Sequence, residues 1–325
     1  VGYITIDTGT TNTRIRYIEK DSLLGSYQEQ VGVRDTAITG SLENLKRTIK
    51  RGIAHCLANS HRELWDVEKI IAFGMITSNL GLIEIPHLEA PVGLKELKKG
   101  IVQKSFQEIV DVPIYFIPGV KNKVENSSPG AFMSMDMMRG EETESIGALC
   151  FTQVKGERLY ISPGSHTKFV FFDENHRIKK CSTTLAGELL WALASETILA
   201  HSIPKSLISS VEREYIEAGI AAVKKHGFTK TCFLVRSMDL FSDTTPNQRV
   251  NFIAGAIGYQ DLKSIAQVLE EYKPTIIVGG KRMLRELYGT ILEILGYDRD
   301  KIILLEDPVV EKASSIGALK ILAGG

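Results

Sequence analysis

Residues 6–14 read IDTGTTNTR: an apolar strand ends on one carboxylate, Asp7, and runs through Thr8, Gly9, Thr10, Thr11 and Asn12 into a second strand-like run at Arg14. Glycine lets the backbone reach positive φ and approach a ligand closely. The hydroxyl and amide groups add donors, and successive backbone N–H groups in such a turn form an anion-binding concavity. The chemistry this suits is a grip on phosphate oxygens, with Asp7 at the strand end to hold Mg2+ through water. The bland alternative is an ordinary hairpin turn in which Asp7 accepts backbone N–H bonds, and for one turn alone it is the better reading.

The pattern occurs twice. ISPGSHTKF (161–169) lies over IDTGTTNTR without a gap at an offset of 155 residues, Gly9 on Gly164 and Thr10 on Ser165. A third feature is PTIIVGG (274–280), a buried strand ending in Gly279 and Gly280, which permits close approach of a flat base or a ribose; helix-start geometry is its alternative. Two such turns with a glycine pair favour nucleotide binding. Competing signatures are missing: the chain has no GxxxxGK[ST], no two glycines spaced GxG, and neither HExxH nor GxSxG.

The elements that must position these turns alternate along the chain. Strands are expected at 3–7, 13–18 and 23–31, and then a helix from Leu42, Leu45, Ile49, Ile53 and Leu57 at helical spacing. A strand (69–75), a helix (94–106), a strand (112–119), a surface turn (125–130) and a helix near 140–150 follow. The second half repeats this grammar: strand, glycine turn, strand, turn, strand over 157–184, then helices at 184–200, 211–226 and 248–271. A strand (274–280), a helix (281–295), a strand (301–305) and a last helix (309–322) close the chain. At ~150 residues per domain, 325 residues make two domains. Their expected bounds are 1–145 and 146–325, each a mixed sheet flanked by helices.

Bulk composition narrows the partners. Lys plus Arg and Asp plus Glu are both 39, so no net field favours nucleic acid or an anionic membrane. Cys56, Cys150, Cys181 and Cys232 are far apart, which fits buried reduced thiols rather than a zinc site or a disulfide framework. No apolar run approaches the ~18 residues of a membrane span. The chain opens directly on a strand with no leader pattern. A cytoplasmic protein is expected, with a homodimer left open.

The motifs resemble a known family. DTGTTNTR (7–14) is similar to the first phosphate motif of the sugar kinase, Hsp70 and actin superfamily, PGSHTKF (163–169) to its second and IIVGGKRM (276–283) to its adenosine motif. GMITSNLG (74–81), IPGV (117–120), MRGEETESIGAL (138–149), SPGSHTKFV (162–170) and TLAGELL (184–190) resemble 2-dehydro-3-deoxygalactonokinases, in family order over nearly the whole chain. The resemblance implies an α/β, two-lobed actin-like ATPase (ribonuclease H-like) fold with an active-site cleft between the lobes. The last helix would pack back on the first lobe. It implies transfer of the ATP γ-phosphoryl group to the 6-hydroxyl of 2-dehydro-3-deoxygalactonate, with Mg2+, in galactonate breakdown. The sequence departs from the family pattern at Thr8, where tryptophan is frequent, and at Ser165, where threonine is usual.

By the same resemblance the carboxylate shortly before the second phosphate hairpin is the base: Glu141 first and Glu142 second, in place of the usual aspartate. Acidic residues also suit a helix N-terminus for dipole reasons. Arg139 faces the substrate carboxylate or pairs with Glu141 or Glu142. His166 and Lys168, two apart on a strand, are expected to share a face toward substrate or phosphate. Arg14 reaches phosphate or substrate, or is a solvated strand residue. Thr77, Ser78 and Asn79 suit sugar hydroxyls or a capped turn. Thr184 is expected as an N-cap, with Gly187 and Glu188 in the first turn and, by resemblance, the sugar pocket. Thr167, Gly164, Ser165, Gly279, Gly280 and Lys281 complete the nucleotide set. Rival functions are a kinase for the epimeric 2-dehydro-3-deoxygluconate and a non-catalytic ATP-binding regulator of the same fold.

Overall fold

The computed structural model describes residues 1–124, 128–152 and 154–324. Residues 125–127 of the expected surface turn lie outside this set, and a short 3-10 helix occupies Pro129–Ser134. The chain forms two units. The first comprises 1–154, 172–181 and 308–325; the second comprises 155–171 and 182–307.

In the first unit, β1 (Gly2–Thr8), β2 (Thr13–Glu19), β3 (Ser22–Glu29), β4 (Val67–Gly74), β6 (Val102–Phe106) and β7 (Val110–Phe116) form a sheet in the order β3-β2-β1-β4-β7-β6. Ile4, Ile6, Ile15 and Tyr17 on its face meet Leu45, Ile49, Ile53 and Cys56 of α2 (Glu43–Asn59) in one buried core. Helix α1 (Val33–Thr39), absent from the sequence expectation, follows β3. The three strands β5 (Leu88–Glu89), β8 (Val120–Lys121) and β9 (Met137–Met138) make a small second sheet. The helix expected over 94–106 is wrong beyond its first turns. Helix α3 (Leu94–Lys99) stops at Gly100, and the charged run after it is β6, antiparallel to β7. Helical spacing in LKELKKG ran on past a glycine, where the backbone is free to leave the helix.

A five-stranded sheet consists of β10 (Arg158–Ser162), β11 (Thr167–Phe172), β12 (Ile178–Thr184), β13 (Thr275–Val278) and β14 (Ile302–Leu304), ordered β12-β11-β10-β13-β14, and the second unit holds all of it but residues 172 and 178–181. Its helices are α5 (Ala186–Glu196), α6 (Arg213–His226), α7 (Phe228–Phe241), α8 (Pro246–Ser264), α9 (Ala266–Tyr272) and α10 (Arg282–Ile294). The expected single helix over 248–271 breaks at Ile265 into α8 and α9, and α7 was not foreseen. Helix α8 carries an N-terminal capping box, Thr245 with Gln248, and Pro246 in its first turn.

The two sheets share one plan. β1 pairs β4 in parallel and β4 pairs β7 in parallel; β10 pairs β13 and β13 pairs β14 the same way. Helices α4 (Glu141–Cys150) and α11 (Asp307–Ala323) follow β9 and β14 respectively, and both contain Ser-Ile-Gly-Ala-Leu, at 145–149 and 315–319. These segments cross at their glycines. A Cβ on Gly147 would lie 1.7 Å from the Ala313 carbonyl oxygen, and one on Gly317 would lie 1.8 Å from that of Thr143. The buried Thr5 and Ser315 hydroxyls, 2.8 Å apart, and a bond from Arg16 to Ser314 Oγ tie α11 to the sheet.

Backbone against backbone leaves no room for a methyl group. Gly317→Ala is therefore expected to lower unfolding free energy by about 1–3 kcal/mol. Urea unfolding checks this, and an unchanged midpoint would contradict the crossing.

Candidate active site

In the first unit the turn after β1 is closed by Gly9 N donating to the Asn12 carbonyl, 2.8 Å. Thr10 and Thr11 are exposed, whereas Thr8 is buried and its hydroxyl accepts a long bond from Thr13. Thr8 therefore offers a ligand its backbone rather than its side chain. Helix α1 braces the turn: Val33 N and Arg34 N donate to the Gly9 and Thr10 carbonyls at 3.2 and 2.9 Å. That approach depends on Gly32, where a Cβ would sit 2.4 Å from the Thr10 oxygen. Asp7 is half-buried, 3.5 Å from Arg14 in a loose ion pair.

Three further sequence blocks converge beside Asp7. Gly74 ends β4 at φ 85°, a region costly for L side chains, and a Cβ there would meet the Thr8 carbonyl oxygen at 2.6 Å and Asp7 Oδ1 at 3.4 Å. Gly140 packs on Gly74 in turn. Arg139 donates to Thr77 Oγ1 (2.8 Å) and to the Ile85 carbonyl (2.7 Å), with His87 Nδ1 3.4 Å away. Gly119 of the IPGV block lies flat against Arg139 and His87. His87 escaped the sequence reading, since a lone histidine in IPHLEA carries no spacing signal. Thr77 is buried and donates to the Gly74 carbonyl, Ser78 donates to that of Met75, and Asn79 is exposed.

Burial separates the two acidic residues. Glu142 is 0 % exposed, and both its oxygens accept from Gly140 N, at 2.9 and 2.8 Å. Burial, helped by the neighbouring Glu141 charge, pushes its carboxyl up to about 8 against the opposing hydrogen bonds. Glu141 is only half-buried and accepts from Arg139 N at 3.2 Å. No ion pair joins Arg139 to either carboxylate among the described residues; burial lowers its pKa, while Glu142 and Glu84 nearby raise it.

The second unit repeats the turn. Strand β11 begins at Thr167, so His166 belongs to the turn and does not share a strand face with Lys168 as expected. His166 lies 3.4 Å from Glu188, and buried Lys168 donates to Thr183 Oγ1 at 2.7 Å. Gly164 and Ser165 sit under the start of α5. Glu188 N donates to the Ser165 carbonyl, and a Cβ on Gly187 would lie 2.1 Å from the Gly164 oxygen. Gly187 stands to Gly164 at the same sequence distance as Gly32 to Gly9, so the ungapped likeness reaches past the turns. The cap of α5 is Leu185 without a side-chain bond; Thr184 instead ends β12. Gly280, at φ 76°, would place a Cβ 2.6 Å from the Pro163 carbonyl, as Gly74 does with Thr8. Gly279 packs against Tyr160, and Lys281 is the exposed cap of α10.

The Glu142 shift has a sign. The unfolded carboxyl ionises near 4.5 and the folded one near 8, so its stabilising contribution is full below 4.5 and is lost as pH rises to about 8. The loss runs at about 1.4 kcal/mol per pH unit in that window. Glu142→Gln should therefore gain thermal stability on the parent as pH rises from 5 to 8; a pH-independent difference would contradict the assignment.

Comparison with known proteins agrees with this geometry. Residues 7–309 match the family model described as 2-keto-3-deoxy-galactonokinase. The chain is 26% identical to the 2-dehydro-3-deoxygalactonokinase of Escherichia coli (strain K12) over 301 residues, 91% of each. A presumed 2-dehydro-3-deoxygalactonokinase from Sinorhizobium meliloti shares the fold at TM-score 0.74 and 24% identity, covering 97% of this chain and 95% of that one. An activator of 2-hydroxyisocaproyl-CoA dehydratase from Clostridium difficile, solved with bound ADPNP, shares it at TM-score 0.51 and 11% identity, covering 98% and 93%. The fold is thus the actin-like ATPase fold expected, common to proteins of different work.

Proposed function

This chain belongs to the 2-keto-3-deoxy-galactonokinase family, and from that premise we propose which of its residues carry the reaction. It is an ATP-dependent sugar-acid kinase that phosphorylates 2-dehydro-3-deoxygalactonate, a phosphotransferase with an alcohol acceptor. The fold alone would also suit a non-catalytic ATP-binding protein; the family match, over nearly the whole chain, decides for the kinase.

One observation carries the assignment of roles: the DTGTTN, GMITSN, IPGV and RGEET blocks meet around Asp7, Gly74 and Arg139. Arg139 is the recognition group for the substrate carboxylate. Thr77 and the Ile85 carbonyl hold its guanidinium in place, and its five N–H donors are only partly used by them. Asn79, exposed at the end of the same segment, suits a sugar hydroxyl. Glu141 is the base that accepts the 6-hydroxyl proton, because substrate can reach it. Glu142, enclosed and bonded to Gly140 N, keeps the helix start in place.

The ATP phosphates are assigned to the backbone N–H groups of Gly9–Asn12 and Gly164–Thr167 and to the hydroxyls of Thr10, Thr11 and Ser165. His166 and Lys168 stand beside the second turn, and Gly279, Gly280 and Lys281 take the adenosine. Phosphoryl transfer needs mostly such positioning and charge neutralisation. Among the described residues no three His, Cys, Asp or Glu side chains cluster as a metal cage. A Mg2+ ion commonly uses one or two carboxylates and completes its shell with water and phosphate. Asp7, half-buried and only loosely paired, fits that role, with Arg14 near enough to compensate its charge. Bound there, Mg2+ would neutralise phosphate charge.

The wider setting is part of the same proposal: sugar-acid recognition in the first unit, adenosine in the second, and small-molecule partners in the cytoplasm. Equal acidic and basic counts support small molecules over nucleic acid as partners, and among the described residues no helix is long and apolar enough to cross a membrane.

Glu141→Gln should lower kcat about 10²–10⁴-fold while Glu142→Gln costs far less; the reverse order would exchange their roles. Asp7→Asn should raise the Mg2+ and ATP concentrations needed for half-maximal rate, and unchanged values would remove Asp7 from the metal site. Side-by-side turnover of the galactonate- and gluconate-derived epimers tests the substrate, and equal or better use of the latter would overturn its assignment.

A further inference from the structure

Behind the second turn lies a polar cluster that no step of the reaction uses. Asp261, in the last turn of α8, is 5 % exposed. The buried Tyr288 hydroxyl of α10 donates to Asp261 Oδ2 and lies 2.9 Å from the hydroxyl of Thr167, the first residue of β11. The Thr184 hydroxyl, at the end of β12, is buried with no hydrogen-bond partner among the described residues, and together with Thr167 it draws the Asp261 carboxyl down against the burial that raises it. The carboxylate accepts from Tyr288, whose hydroxyl in turn meets Thr167, and a bonded chain of this kind is the way a buried acid is kept tolerable.

The three elements share one property. Thr167 closes the turn at Gly164–His166. Thr184 leads directly into Gly187 and Glu188, which press on that turn. Tyr288 sits on the helix that starts after Gly279 and Gly280. The second phosphate turn and the helix that follows the glycine pair are therefore fastened to one side chain. A hydrophobic residue would fill the same space without fixing these loops relative to each other.

We infer that Asp261 is a positioning residue for nucleotide binding, holding the second phosphate turn and α10 in register through the hydroxyls of Tyr288 and Thr167. The inference rests on the assignment of those segments to ATP. It goes beyond that assignment by naming a residue that touches neither substrate nor phosphate yet sets affinity for one of the two substrates.

The test measures steady-state KM for ATP and for the sugar acid, with melting temperature, in Tyr288→Phe and Asp261→Asn. Tyr288→Phe removes one oxygen and keeps the ring, so it stays informative if Asp261→Asn does not fold. Loss of one buried hydrogen bond corresponds to a rise in KM for ATP of about 5- to 30-fold. The sugar-acid KM should change less than about 2-fold. Val235→Ala, in the buried side of α7, supplies a variant of lowered stability that alters no hydrogen bond of the cluster, and its KM for ATP should match the parent. If Tyr288→Phe folds and leaves KM for ATP unchanged, or shifts both KM values equally, the inference fails. Ser165→Pro separates this from failure of the ATP assignment: if that change in the turn itself leaves KM for ATP untouched, the assignment is wrong; if it raises KM while Tyr288→Phe does not, only the role of Asp261 is.

Discussion

The structure depends on one steric constraint: four places where a turn and its neighbour approach more closely than any Cβ allows. Gly32 over Gly9–Thr10 and Gly187 over Gly164–Ser165 let a helix start press on each hairpin turn. Gly74 against Thr8 and Gly280 against Pro163 bring a second loop to the same turns, in a backbone conformation that glycine adopts at little cost. Each turn is thereby clamped from two sides by main chain. Main-chain clamps leave the N–H groups and hydroxyls of the turn in fixed directions, which is what a phosphate site needs before its ligand arrives.

The same economy of space sorts the acidic pair. Both glutamates stand at the start of α4, where negative charge is favoured by the helix dipole. Only Glu142 turns inward to Gly140, and burial keeps its proton on to about pH 8. Such a group is inaccessible to a sugar hydroxyl. Glu141 stays at the surface of the cluster beside Arg139. One position along a helix, about 100° of rotation, thus separates a structural acid from a candidate base.

Much of this was legible in the sequence because it is written in local patterns. The two hairpins, the ungapped offset between them and the glycine pair at 279–280 are all short-range features, and the fold was implied by the family resemblance that these and the neighbouring motifs carry. The acidic pair was legible as a pair but not as two roles, since the packing around Gly140 comes from Gly74, distant in sequence. The fate of Thr8 was hidden for the same reason: a threonine beside an exposed turn gives no sign that it faces the core. Helix α7 escaped because it buries only Thr231 and Val235 and shows no clean apolar stripe. The 94–106 helix was overextended because lysines and apolar residues in KKGIVQKSF fit both periods. The Asp261 cluster joins residues 27 to 121 positions apart, beyond the reach of any motif.

The central claim is that both clamped turns grip the nucleotide, and hydrogen–deuterium exchange reads it directly. Adding a non-hydrolysable ATP analogue with Mg2+ should slow exchange of the amides at 9–12 and at 164–167 together. Saturating binding with both segments unaffected, and protection appearing elsewhere, would contradict the account.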